Sequence, residues 1–163
     1  MILSICPSDI VEAPLETVWA LLTNARGWGD FFDAEVLSVE PDGPARAGQR
    51  MRLASGRWPF RFRLLFEFSA VDFERHNLRL EIRLPFGVVN HEALHVEPLS
   101  PTRCQVSYGC NFEFPAGWRG RLLWLALKRG FETGPADSLA RLKRHAETMA
   151  ANSPARPDAP GSG

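Results

Sequence analysis

The strongest constraint on this chain is an alternation of apolar and polar side chains with a period of two, repeated in three separate segments. Phe60, Phe62, Leu64, Phe66, Phe68 and Ala70 alternate with Arg61, Arg63, Leu65, Glu67 and Ser69. Leu78, Leu80, Ile82 and Leu84 alternate with Arg79, Glu81 and Arg83. Cys104, Val106, Tyr108, Cys110, Phe112 and Phe114 alternate with Arg103, Gln105, Ser107, Gly109, Asn111 and Glu113. Successive side chains of an extended strand point to opposite faces, so each segment predicts a strand with one buried and one solvated face. That is the pattern of an antiparallel sheet covered on one side only. The connections Glu74 to Asn77 and Ser100 to Thr102 are short and polar, which predicts a meander.

An apolar sheet face needs a cover. The segment from Trp118 to about Met149 supplies one, because Phe131, Gly134, Ser138, Leu142 and Met149 fall near one helical stripe with Leu139 and Ala146 beside it. Pro135 lies inside this helix and predicts a kink or a division in two. Upstream, residues 3–12 read as a first strand with an edge or bulge at Pro7. Pro14 then opens a helix whose Leu15, Val18, Trp19 and Leu22 share one face. Ala25 to Phe32 reads as a turn and a short irregular helix. Strands follow at 34–40 and 48–55, separated by the turn Pro41-Asp42-Gly43-Pro44. The tail from Asn152 onward is rich in Pro, Ala, Gly and Ser and is expected to be disordered. The expected organisation is one α+β domain over residues 1–150 and a tail over 151–163, with about seven strands curved around the long helix and two short helices after the first strand.

Such a sheet implies a wedge of space between its twisted face and the helix. Large residues either fill that wedge or line it, and Gly134 and Ser138 on the helix are small enough to leave room. The alternative is that the aromatics simply form a packed core and Gly134 accommodates Pro135. If the wedge is a cavity, Trp28 and Phe32 from the short helix, Met51 from the strand over 48–55 and Phe62 and Phe66 from the next strand are its expected lining. Leu80, Ile82, Glu92, Leu94 and Tyr108 from the later strands join them, with Phe131 and Ser138 from the long helix.

Composition narrows the partners. Nineteen basic and nineteen acidic residues cancel, the pI is 6.9 and 45% of the 163 residues are apolar. The chain therefore affords a full core and no long-range field for nucleic acid or an anionic membrane. No apolar run approaches the ~20 residues of a membrane span, and no basic region precedes the apolar N-terminus as in a signal peptide. Three cysteines are an odd number, and Cys104 and Cys110 on one strand would stand ~20 Å apart. The expectation is three free thiols in a cytoplasmic protein, either a monomer or a homodimer.

The stretch Val11-Glu12-Ala13-Pro14-Leu15-Glu16-Thr17-Val18-Trp19-Ala20-Leu21-Leu22-Thr23 resembles the opening of the SRPBCC (START-like, polyketide cyclase/dehydrase) superfamily. Ala47-Gly48-Gln49 is similar to that family's glycine at the start of the third strand, and His91 to Pro98 with Thr102-Arg103 to its "Glu-Pro, turn, Thr-Arg" hairpin. The resemblance spans roughly residues 4 to 150. It implies the helix-grip fold and a deep apolar cavity. Members bind lipids, sterols, polyketides or plant hormones, and a minority catalyse cyclisation or dehydration there. Fold alone does not choose between them.

The candidate chemistry is sparse. His91 and His95 are four apart, which on a strand separates them by ~13 Å, so no metal site is expected. With Leu94 and Val96 inward, Glu92 and Asn90 share the inner face and the histidines point out. Glu92 near an apolar pocket would have a raised pKa and serve as a general acid or base; the alternative is a solvated strand end or a pair with an arginine. Tyr108, the only tyrosine, needs a partner for its hydroxyl, supplied by a ligand, a backbone group or water. Ser55 is a weaker candidate of the same kind, and Arg57 and Trp58 in a turn between two strands either guard the cavity entrance or are plain exposed turn residues. No nucleophile motif or phosphate-binding glycine loop is present, no cofactor is expected, and the nearly all-hydrocarbon lining argues against an aromatase. Trp118, Arg119, Arg121, Trp124, Lys128 and Arg129 mix tryptophan with cations, a pattern that fits a peripheral membrane contact, a dimer face or a plain amphipathic helix. Three functions follow: a carrier of a small apolar ligand, a cyclase/dehydratase acting through Glu92 and Tyr108, or a co-chaperone-like interaction module.

Overall fold

The computed structural model describes residues 1–32, 34–56 and 61–152. The first strand is interrupted at Cys6-Pro7 into β1 (Ile2–Ile5) and β2 (Ser8–Val11). Both pieces pair antiparallel with the last strand, and the Tyr108 amide bonds the Pro7 carbonyl across the break. Next come α1 (Leu15–Thr23), a 3₁₀ helix (Ala25–Asp30), β3 (Ala34–Glu40) and β4 (Arg50–Ser55). The meander continues with β5 (Phe62–Asp72), β6 (Asn77–Arg83), a 3₁₀ turn (Pro85–Gly87), β7 (Val89–Ser100) and β8 (Arg103–Glu113). Helix α2 (Gly117–Asn152) closes the fold.

Among the described residues the strands form one antiparallel sheet in the order β1-β8-β7-β6-β5-β4-β3, with β2 also on β8. Eight strands are counted among the described residues, in keeping with the expected seven or so, because Pro7, which has no amide hydrogen to give the ladder, splits the first. The alternation holds through the centre of each strand: Leu64, Phe66 and Phe68, Leu78, Leu80 and Ile82, and Leu94 and Val96 are all buried. Leu84 falls just beyond β6 and is half-buried, because the chain turns out of the strand before Pro85.

Helix α2 is continuous through Pro135, so it is not divided in two. The proline has no N–H to donate to the Phe131 carbonyl, and surrounding packing keeps the helical path. Leu139, Leu142 and Ala146 anchor its second half in the core; Met149 stands 44% exposed instead of sharing that burial. At the helix start, a Cβ on Gly120 would stand 1.7 Å from the Pro115 carbonyl oxygen, so only glycine fits there. Of the tail expected over 151–163, Ala151 and Asn152 still belong to α2, and residues 153–163 lie outside the described residues, as do the turn residues Arg57 and Trp58 and Phe60. No helix among the described residues is long and apolar enough to cross a membrane.

Candidate functional site

The wedge between sheet and helix is divided. At one end it is filled: Trp28 is buried, donates from Nε1 to the Leu22 carbonyl at 3.0 Å, and packs edge-on against Phe66 and Phe68. Beneath the middle of α2 a cavity of about 280 Å³ remains. The two readings of the aromatic face, filled core and lined cavity, therefore each hold for part of it.

Of the expected lining, Phe32, Phe66, Ile82 and Phe131 form apolar wall, and Glu92, Tyr108 and Ser138 supply polar groups. Phe131 stacks on Phe112 with ring centres 4.6 Å apart, which seals one side. Trp28 and Leu94 border only a narrow cleft behind Phe32, Tyr108 and Ser138. Met51 and Leu80 are buried in the core and do not reach the cavity, since their stretches of sheet are covered by other side chains. Phe62 also stays outside it: it begins β5, is 40% exposed and contacts Phe86 at the sheet end. Strand alternation identified its face but not its depth.

Beyond the expected lining, Leu64, Leu84, Phe112, Gly130, Asp137 and Arg141 also line the cavity. The first three already stand among the inward residues of the strand alternation. Asp137 and Arg141 sit one helical turn apart, flanking the stripe of Gly134 and Ser138, and were legible only once the helix orientation was known.

The polar end of the site is built by strand register. Asn90 and Glu92 are two apart on the inner face of β7, Cys110 of β8 lies directly opposite Glu92, and Tyr108 lies opposite Leu94. Asn90 and Glu92 are both buried. The Asn90 amide donates to Glu92 Oε1 at 2.7 Å, and the Cys110 thiol lies 3.9 Å from the same oxygen. Glu92 Oε2 and Asn90 Oδ1 are buried without a hydrogen-bond partner among the described residues. Burial pushes the Glu92 carboxyl up to about 7; its contacts with Tyr108, Asn90 and Cys110 pull the other way but do not cancel the loss of hydration. Burial, and then the neighbouring Glu92, holds the Tyr108 hydroxyl well above its ordinary range, so it remains a neutral phenol. The same two causes raise the Cys110 thiol. Glu92 is thus neither at a solvated strand end nor paired with an arginine among the described residues.

His91 and His95 alternate away from this face, and His91 meets Glu113 at 3.7 Å on the outside. No cluster of three metal-ligating side chains occurs among the described residues. Ser55 lines the cavity at the end of β4.

A family model described as polyketide cyclase / dehydrase and lipid transport matches residues 8–147. No curated protein sequence matches the chain. Among solved structures the chain is similar to norcoclaurine synthase from Thalictrum flavum in complex with dopamine and hydroxybenzaldehyde, with 15% identity, 94% of this chain and 90% of that chain covered, and a TM-score of 0.68. It is similar to the Zhui aromatase/cyclase from Streptomyces sp. R1128 at 17% identity, covering 94% of this chain and 100% of that one, with a TM-score of 0.68. The di-domain aromatase/cyclase BexL from the BE-7585A biosynthetic pathway matches at 20% identity and a TM-score of 0.72, covering 93% of this chain and 48% of that one. Identities this low establish a shared fold and leave the chemistry to the residues of this site.

Proposed function

Because the chain belongs to the polyketide cyclase/dehydrase and lipid transport family, we propose that its cavity binds a small, largely apolar molecule of one or two rings, carrying a carbonyl or hydroxyl group held near Glu92. The observation that carries this reading is the buried, half-satisfied Glu92 carboxyl in a cavity whose walls are otherwise mostly hydrocarbon. Buried polar groups in a native core are ordinarily paired, and a few convergent polar groups in an apolar hollow are how ligand pockets are built. Size limits the ligand: at about 30 Å³ per water-sized group, the cavity has room for roughly ten such groups. That is small against the roughly 300–1,000 Å³ of ordinary ligand pockets, and it does not enclose a membrane lipid.

Native mass spectrometry of the protein from its own host, followed by denaturing extraction, tests the reading. A bound one- or two-ring oxygenated compound, absent from a folded Ser138→Phe variant, is the expected result. No bound molecule, together with no thermal shift from small aromatic ketones and phenols, would overturn it.

One observation supports a second reading, a cyclase or dehydratase. An acid pushed up to about 7 is half-protonated near neutral pH, the condition under which general acid–base catalysis is most efficient. Glu92 would pass a proton to or from the ligand oxygen, and the neutral Tyr108 hydroxyl would orient that oxygen. Glu92→Gln distinguishes the two readings: turnover lost with ligand binding kept indicates an enzyme, whereas binding without turnover in the unaltered protein indicates a carrier.

A further inference from the structure

The first four turns of α2 carry two apolar stripes back to back. One faces the sheet, where Gly120 is buried and Leu123, Trp124, Leu127 and Phe131 are half-buried. The other faces outward: Trp118, Leu122 and Leu125, at i, i+4 and i+7, are 68%, 57% and 70% exposed. At ~100° per residue, Arg119 falls on one flank of this outward stripe, Arg121 and Lys128 on the other, and Arg129 at its end. Met1, itself exposed, extends the apolar patch beside Trp118 and Arg121.

The charge is one-sided. No acidic residue occurs between Glu113 and Glu132, although the chain as a whole is neutral. Lys128 is held by Glu132 at 3.4 Å and lies over the Trp124 ring, and Arg119 lies over Trp118. Arg121 and Arg129 have no ion pair among the described residues.

We propose that this face docks on an anionic lipid bilayer surface. Trp118, Leu122 and Leu125 enter the boundary between headgroups and acyl chains, and Arg119, Arg121 and Arg129 meet lipid phosphates. An apolar stripe flanked by cations, with tryptophan at one end, is the physical requirement for a helix lying in that interface. A second copy of the chain fits the face poorly, since a two-fold contact would set these cations against themselves. The inference is independent of what the cavity binds. It would bring the helix that carries Gly130 and Phe131, both on the cavity wall, to a surface where apolar compounds concentrate.

Sedimentation with vesicles of phosphatidylcholine alone, and of an equal mixture of phosphatidylcholine and phosphatidylglycerol, tests this on the full chain. Binding to the mixed vesicles, weakened by salt, is expected. Arg119→Gln with Arg121→Gln should weaken it roughly thirty-fold, and Leu125→Ser roughly tenfold. The substituted side chains are exposed, so circular dichroism should show the fold unchanged. No binding to mixed vesicles, or binding indifferent to these substitutions in the folded variants, overturns the proposal. A dimer that Leu125→Ser dissolves, without vesicle binding, assigns the face to a second copy and overturns it as well.

Discussion

The side-chain amide of Asn90 donates a 2.7 Å hydrogen bond to Oε1 of Glu92, two residues along the same face of β7, and leaves Oε2 of that carboxylate buried without a hydrogen-bond partner among the described residues. The pairing is a consequence of strand geometry, because residues two apart share a face and both are turned inward by the burial of Leu94 and Val96. One good hydrogen bond does not replace the hydration of a full negative charge. The acid therefore rises from 4.5 to about 7.

This makes the protein more stable in mild acid than in mild base, as far as Glu92 is concerned. The folded state binds the Glu92 proton more tightly than the unfolded state, so the contribution is fully present below pH ~4.5, falls as pH rises through about 7, and is lost above it. The penalty at high pH is on the order of 3 kcal/mol. Denaturant melts of the native chain and Glu92→Gln at a series of pH values should show the difference between them changing over this window, with the variant gaining relative stability toward pH 8. A constant difference would contradict the assignment.

The Tyr108 hydroxyl favours ionised Glu92. Tyr108→Phe should therefore move the midpoint of that pH-dependent difference upward. The carboxyl C=O stretch assigned by comparison with Glu92→Gln, followed by infrared spectroscopy across the titration, reads the same shift directly. An unchanged or lowered midpoint would show that the hydroxyl does not act on the carboxylate.

Phe66 and Phe131 both reach the cavity wall, but they differ in how deeply the rest of the ring is held. Phe66 is fully buried against Trp28 and Phe32, and Phe66→Ala should cost about 3–5 kcal/mol in a denaturant melt. Phe131 is only half-buried and contacts Phe112 and Phe114. Phe131→Ala should cost clearly less, while opening the cavity beside Phe112.

The sheet was legible because its signal is local. A period of two in Phe62 to Ala70 and in Cys104 to Phe114 reports a buried face whatever the neighbours are, and the inward placement of Asn90 and Glu92 follows from Leu94 and Val96 alone. Depth was not legible. Phe62 and Phe66 share a face, yet one is 40% exposed at the strand end and the other wholly buried, a difference set by where the 3₁₀ helix and α2 cross the sheet. Met51 and Leu80 were misplaced relative to the cavity for the same reason. Asp137 and Arg141 lie off the apolar stripe that made α2 recognisable, so only the packed rotation of the helix reveals them at the cavity. The continuity of α2 through Pro135 is likewise a tertiary effect, since propensity alone favours a break.

Two glycines of α2 on the cavity wall separate space from backbone strain. A Cβ at Gly130 or Gly134 would meet no atom within 4 Å outside the local chain, so packing opposes alanine at neither. Gly130→Ala replaces the poorer helix former and should stabilise the protein by about 0.5–1 kcal/mol. Gly134 precedes Pro135, whose ring crowds the Cβ of the preceding residue when that residue is helical. Gly134→Ala should therefore gain nothing, or lose stability, although its cavity-side surroundings are as open as those of Gly130. Denaturant midpoints for the two variants decide the point. Equal stabilisation by both would show that Pro135 imposes no strain on the residue before it.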